Sequence, residues 1–358
     1  MRVALLHLRN CRQRICNRVW ESWNRIWPAA DRFLIDQSDL EYLPFTARHR
    51  FQQSFPRTLS SSPYDLVLST VPDLAAGVPW LRGNLHLSYV SSVAAFENAL
   101  PENSHPHSRG LTNHLPHVSR WRHATLPPHT TLPVDHWILG SGTIRDLCGL
   151  PQDESNTVLY PPLNLQAFRP DFCRRESLYV LPCETRLPKN LPIAIEAARR
   201  MKRRLVVLAH GRNLQRLPHS PDFTIVPCLT DQDAANCYAS CEAVIFPDVM
   251  EVDLSLIEAQ VCGTPIVALD AGAAQEMLID SEVAGVGTGV FFSEPTTDSL
   301  ISALQELERR PQHYSTSLAW STATAHAHPQ FERRMRQLVQ VLVDSAHTAT
   351  PDFHRRAA

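Results

Sequence analysis

Short apolar runs separated by turn residues dominate the chain, and their lengths distinguish strands from helices. Met1–Leu8 (MRVALLHL) reads as a short buried strand. Over residues 10–27, Cys16, Val19, Trp20, Trp23, Ile26 and Trp27 recur at helical spacing, with Arg12, Arg14, Arg18 and Arg25 mostly on other faces. Further runs at Tyr64–Ser69 (YDLVLS), Asn84–Tyr89 (NLHLSY) and His136–Gly140 (HWILG) have the length and content of buried parallel strands. Residues 101–133 break this rhythm. They are rich in Pro, His, Ser and Thr and read as a long irregular excursion over the surface.

After YPPLNLQAFRP (160–170) the alternation restarts. Strands are expected at Leu178–Leu181, Leu205–Ala209, Phe223–Val226, Ala243–Phe246, Pro265–Leu269 and Gly289–Phe292. Helices are expected over 191–201, 231–240, 254–262 and 296–309. Repeated strand–helix–strand units imply a parallel sheet covered on both faces, and the pattern runs twice. The expectation is an α/β protein of two Rossmann-like domains, 1–170 and 171–329, facing a cleft, with ligands bound outside the carboxyl ends of the strands.

Composition narrows the class. At 358 residues the chain is long enough for two α/β cores, and 44% hydrophobic with 20% charged residues marks a globular protein. A formal charge of −2 gives no field to attract nucleic acid. The nine cysteines include no Cys-x-x-Cys pair, and Cys237 and Cys241 lack a second ligand pair, so they read as reduced, buried thiols rather than a zinc site. The histidines at 105, 107, 114, 117, 123 and 129 lack helical metal spacing and read as solvated loop residues. The opening apolar run is short, lacks a small-residue cleavage site, and no run reaches the roughly 18 residues of a membrane span. A cytoplasmic protein is expected. The basic, aromatic 10–27 helix admits peripheral contact with the inner face of the membrane, against the plainer reading that its Trp stripe packs on the sheet.

Ordered landmarks in the second half resemble glycosyltransferase family 4. FPDVMEVDLSLIEAQVCGTPIVALDAGAAQEML (246–278) is similar to that family's signature block, in which a strand ending in Phe-Pro leads to a helix bearing Glu-Ala and then Cys-Gly-Thr-Pro. VLYPPLNLQAFRP (158–170), PKNLPIAIEAARRM (188–201) and TGVFFSEPTTDSLISALQELE (288–308) resemble its interdomain passage, the helix after its diphosphate-binding lysine, and its closing strand and helix. FERRMRQLVQVLV (331–343) resembles the helix that crosses back to the first domain, placing a terminal helix at about 330–344. Weaker echoes in RVALLH, YDLVLST and VDHWILGSGTIRDL extend the likeness to the start. The resemblance implies the GT-B fold, a nucleotide-sugar donor, no metal or other cofactor, and relatives of mannosyltransferase type that build bacterial polysaccharides.

It also implies roles for particular residues. A helix beginning near Leu254 offers free N–H groups to a diphosphate, with Leu254 and Ser255 in its first turn. Glu258 is placed to accept from ribose hydroxyls, and Lys189 to neutralise the departing diphosphate. Gly211 and Leu229 fall on the donor side, Ser91 on the acceptor side. Each has a plainer reading, a first-turn glutamate favouring the helix dipole and a lone lysine on a solvated face.

The chain departs from the family pattern where the chemistry belongs. The first glutamate position holds Met250, with Glu251 one residue late and able to touch the donor sugar. The glycine before the helix is Asp253, a preferred N-cap whose carboxylate would compete with the diphosphate. The arginine position aligns with Glu184, leaving Arg186 three residues before Lys189. Residues 9–14 (RNCRQR) lack the family's glycines, and Ser91 and Ala95 replace its histidine and arginine. The expectation is a retaining glycosyltransferase acting on a glycan or lipid-linked acceptor. The alternative is a catalytically weakened or non-catalytic binding subunit, with an epimerase of the same architecture behind both. No Gly-x-Gly-x-x-Gly follows a strand, which argues against a nicotinamide dehydrogenase.

Overall fold

The computed structural model describes residues 1–9, 11, 13–35, 64–70, 85–93, 134–170, 176–184, 187–210 and 220–349. The expected excursion at 101–133, together with Ala95, Arg186 and Gly211, lies outside the described residues. The chain divides into two compact units, Met1–Pro161 with Phe331–Ala358, and Pro162–Gln330. The division therefore falls nine residues before the sequence-based boundary at 170.

In the first unit six parallel strands form one sheet: β1 (Val3–Leu8), β2 (Asp31–Ile35), β3 (Leu66–Ser69), β4 (His86–Val90), β5 (His136–Leu139) and β6 (Asn156–Val158), in the order β2-β1-β3-β4-β5-β6. Between β1 and β2 runs α1 (Arg14–Ile26), shorter than the 10–27 span that its pattern suggests. Gln13 is extended (φ −83, ψ 113), and Trp27 leaves the helix because it precedes Pro28, whose ring disfavours helical backbone there. Ile15, Cys16, Val19, Trp23 and Ile26 are buried against the unit, while Trp20 and Trp27 of the stripe are half-buried. After β5, α2 (Gly142–Leu147) starts at Ser141, whose hydroxyl accepts the Ile144 N–H at 3.0 Å.

The second unit alternates strand and helix throughout: β7 (Glu176–Cys183), α3 (Leu191–Arg200), β8 (Arg204–His210), β9 (Thr224–Cys228), α4 (Asp231–Ser240), β10 (Cys241–Phe246), α5 (Leu254–Val261), β11 (Ile266–Leu269), α6 (Ala273–Met277), α7 (Ser281–Ala284), β12 (Gly289–Phe292), α8 (Thr297–Arg309) and α9 (Thr316–Thr324). All six strands are parallel, in the order β12-β11-β10-β7-β8-β9. Their near-continuous apolar runs suit strands covered on both faces, and Leu181, Val207, Ile245, Val267, Val290 and Leu300 meet in one core. Caps fix the helix starts: Thr230 and Asp233 make a reciprocal capping box on α4, and Thr296 accepts the Ser299 N–H at the start of α8.

The last helix, α10 (His328–Ala349), belongs from Phe331 onward to the first unit. Phe331, Met335 and Val339 recur every four residues and are buried, while Glu332 receives Arg25 of α1 at 2.7 Å. Among the described residues no helix is long and apolar enough to cross a membrane.

Candidate functional site

Strand order alone locates a crevice in the second unit. β7, the first strand in sequence, lies beside β10, the fourth, so connections leave to opposite sides between them, the switch point where ligands bind in such sheets. The loops after β7 and β10 are joined there by three hydrogen bonds. The Lys189 N–H donates to Asp248 Oδ2 at 2.7 Å, the Asn190 N–H to Asp248 Oδ1 at 2.9 Å, and Asn190 Nδ2 to the Pro247 carbonyl at 2.9 Å. Asn190 holds the N-cap position of α3 without a side-chain cap, and its own amide and that of Lys189 before it take their acceptor from the neighbouring loop. The Lys189 side chain is exposed at this edge. Asp248 is a residue that sequence reasoning missed. Its signals were an aspartate directly after the strand-ending Phe-Pro and a helix start without its own cap.

The rest of the 247–253 loop is pinned on both sides of Glu251. Met250 pairs with Gly272, and its carbonyl accepts the Ala273 N–H at 2.8 Å. Gly272 sits at φ +69, and a Cβ there would collide with the Met250 carbonyl oxygen, so the close approach requires glycine. At the loop's far end Asp253 is extended (φ −145, ψ 122) and its Oδ1 accepts the Ser255 N–H at 2.7 Å, the N-cap geometry expected from its position. Glu251 between them is half-buried.

The structure departs from the first-turn reading of Glu258: it is the fifth residue of α5, and Leu254, Ser255 and Glu258 are all 0% exposed. The reason is that every residue of α5 is buried, enclosed by α4, α6, α9 and β11. Ser255 and Glu258 are three apart and share a helix face. The buried Ser255 hydroxyl finds no hydrogen-bond partner among the described residues. Leaving such a group unsatisfied costs about 1–3 kcal/mol, a cost that a bound ligand would offset.

Leu229, at the end of β9 on the same sheet edge, is 72% exposed, and its N–H donates to Asp233 Oδ2 at 3.1 Å. Hydrogen bonds from the Thr230 hydroxyl and then from the Thr230 and Leu229 amides hold the Asp233 carboxyl below its ordinary range. At the end of β7, burial pushes the Cys183 thiol up to about 11. Lys189, Glu251, Leu254, Ser255 and Glu258 thus gather with Asp248 about the β7–β10 switch point, and Leu229 lies two strands away. Arg186 and Gly211 lie outside the described residues.

The first unit has its own switch point, between β1 and β3. Side chains fill it. Ser91, just past β4, is buried and donates its hydroxyl to Gln13 Oε1 at 2.7 Å, and the Cys16 thiol donates to the same oxygen at 3.0 Å. Gln13 therefore stands where glycines would leave room for a phosphate, and Ser91 is engaged internally. His7 bonds Thr70 Oγ1 at 2.6 Å and Asn17 Oδ1 at 3.0 Å, and burial lowers its pKa despite the Asn17 bond. The interaction with Cys16 holds the Cys11 thiol below its ordinary value. Among the described residues no three His, Cys, Asp or Glu side chains cluster to hold a metal ion.

Residues 178–309 match the family model described as glycosyl transferases group 1. No curated protein matches the chain. Among solved structures, the sucrose-phosphate synthase (tll1590) of Thermosynechococcus elongatus superposes with a TM-score of 0.70 at 14% identity, over 96% of this chain and 100% of that one. The Anabaena Alr3699/HepE structure with UDP and glucose gives 0.65 at 13%, over 95% and 99%. The apo lipopolysaccharide outer core galactosyltransferase WaaB gives 0.63 at 11%, over 96% and 100%. Identities this low establish the fold, which is GT-B, and within it residues 178–309 are similar to a group 1 glycosyl transferase domain.

Proposed function

We propose that this chain, which carries a glycosyl transferases group 1 domain on the GT-B fold, transfers a sugar with retention from a nucleoside diphosphate donor to a glycan or lipid-linked acceptor in polysaccharide assembly. The observation that supports the reading is that the Lys189 loop is tied to Asp248, in the loop that leads from β10 into α5 with its buried Ser255 and Glu258, all inside the matched region. In this reading Glu258 accepts from the ribose hydroxyls and the α5 amides face the diphosphate. Glu251 contacts the donor sugar. Lys189 balances the charge that grows on the β-phosphate as the bond between it and the sugar C1 breaks. The acceptor oxygen takes C1, and its proton leaves with the diphosphate. No metal enters this scheme. The Anabaena HepE structures hold UDP and UDP-glucose, which makes uridine nucleotides the first donors to test.

A second reading, a nucleotide-binding subunit with weak or no turnover, is favoured by three contacts. Asp248 and Asp253 occupy amides at two helix starts, and the Ser91 hydroxyl is bound to Gln13. Loss of one transition-state donor commonly slows a reaction about a hundredfold, so turnover well below the usual ~10 per second is expected. Incubating the chain with anomerically pure nucleotide sugars and following the transferred or hydrolysed anomer by NMR tests both. Release of the retained anomer supports transfer, release of the inverted anomer refutes retention, and nucleotide binding without any release supports the second reading.

A further inference from the structure

The second unit carries another concavity, at the opposite edge of its sheet from the switch point. It is a groove of about 650 Å³, open to solvent. Its walls include Val286, Gln312, Tyr314, Thr316, Ser317 and Trp320. Its position follows from topology. Val286 lies just before β12, and Thr316 lies against Gly263, just after α5, so both mark amino-terminal strand ends. The switch-point residues sit at carboxyl-terminal ends, with the length of α5, about 12 Å, between.

The cavity is built from fixed backbone. The segment around Tyr314 is joined to the turn before β12, with the Gly287 N–H donating to the His313 carbonyl at 2.8 Å and the Ser315 N–H to the Gly287 carbonyl at 3.0 Å. Gly287 is pressed so closely on Ile279 and Ser281 that a Cβ there would strike their backbone. The Ser315 hydroxyl starts α9 by accepting the Leu318 N–H at 3.2 Å. Thr316, Ser317 and Trp320 then fall on one face of α9 by the i, i+3 and i, i+4 rule. Trp320 and Tyr314 are half-buried and Gln312 and Ser317 exposed, which leaves aromatic surface and hydroxyl and amide groups open to a ligand.

The chemistry of the lining selects the ligand. Two aromatic side chains suit the C–H face of a pyranose ring, and the hydroxyl and carboxamide groups of Ser317, Thr316 and Gln312 both donate and accept, as sugar hydroxyls require. Among the described residues of the lining only the Tyr314 phenol is ionisable, and the other polar groups are neutral hydroxyls and a carboxamide. We propose that this cavity is a binding site for a neutral oligosaccharide, separate from the donor site and sharing no residue with it.

Titration of the full chain with maltopentaose, xylopentaose and mannopentaose, read by calorimetry and by saturation-transfer NMR, tests the proposal. A trigalacturonate and a proline-rich peptide serve as the charged and non-sugar arms. At least one neutral pentasaccharide is expected to bind at about 1 mM. Trp320→Ala should weaken that binding at least about tenfold, and Trp320→Phe, which keeps a flat apolar ring, should restore most of it. Should Trp320→Ala fail to fold, Ser317→Tyr fills the cavity from an exposed position and should abolish binding. The proposal is overturned if no neutral pentasaccharide binds at about 20 mM, if binding is indifferent to Ser317→Tyr, or if only the acidic sugar or the peptide binds.

Discussion

Asp253 Oδ1 takes the Ser255 amide at 2.7 Å, so a fixed carboxylate stands at the α5 start where a donor diphosphate would sit. Two like unit charges about 4 Å apart oppose each other by about 4 kcal/mol at an effective dielectric of 20, and by less in an open, salty site. Replacing a capping aspartate by glycine costs only a few tenths of a kcal/mol in helix stability. The electrostatic effect wins, and Asp253→Gly should bind nucleoside diphosphate about tenfold more tightly with little change in Tm. Calorimetry at low and high salt checks this; equal affinity at both salts would mean the carboxylate does not face the ligand. Asp248 plays a different part, because its two oxygens serve the amides of Lys189 and Asn190. Asp248→Ala should cost on the order of 1 kcal/mol of stability, and Asp248→Asn, with one acceptor oxygen left, less. Urea denaturation of the three proteins measures the order, and an unchanged midpoint in the alanine variant would show the contact to be idle.

At the level of elements, α5 is the one on which the proposed site and the core overlap. Glu258 is fully buried, so Glu258→Ala would remove the proposed ribose contact and leave a cavity together, whereas Glu258→Gln keeps the volume. The glutamine variant should fold normally and lose roughly ten- to a hundredfold in nucleotide affinity; unchanged affinity would remove Glu258 from the site. In the first unit, burial lowers the pKa of His7 on β1 and His136 on β5. A histidine favoured neutral in the fold adds stability that is present above its unfolded pKa of about 6.5 and is lost as pH falls through the folded value. Amide exchange from β1 and β5, corrected for intrinsic rates, should therefore accelerate between pH 7.5 and 5.5; constant protection would refute the assignment. The pattern that revealed these elements also explains those it concealed. The runs at 231–240 and 289–292 coincide with α4 and β12 because each is bounded by its own cap or turn. β2 (DRFLI) opens with two exposed charged residues at a sheet edge and leaves an apolar run of only three, and β6 (NTV) is three residues of mixed polarity, so both fall short of a strand signal. In the site, Asp253 was legible because its partner lies two residues away. The Asp248 contacts and the Gln13–Ser91 bond were not, because those partners lie 58 to 78 residues off and only the sheet brings them together.

At the scale of the molecule, each unit is a parallel sheet with its own switch point, and the two have diverged in what stands there. The first unit's is filled by Gln13, Cys16 and Ser91, while the second presents the Lys189 loop and the buried Ser255–Glu258 face. The strand orders differ as well, 2-1-3-4-5-6 in the first and 3-2-1-4-5-6 in the second when each unit's strands are counted from its own start. Both orders belong to nucleotide-binding sheets, and the group 1 match falls on the second. The central claim is that this second switch point holds a nucleoside diphosphate sugar. The most direct test is a thermal-shift panel of UDP, GDP, ADP and their sugars on the wild type and on Glu258→Gln. At a hundred times its dissociation constant, one base should stabilise the wild type by roughly 2.7 kcal/mol, and the same concentration should do markedly less for the variant. A flat panel for the wild type at millimolar ligand, or equal shifts in both proteins, would contradict the account.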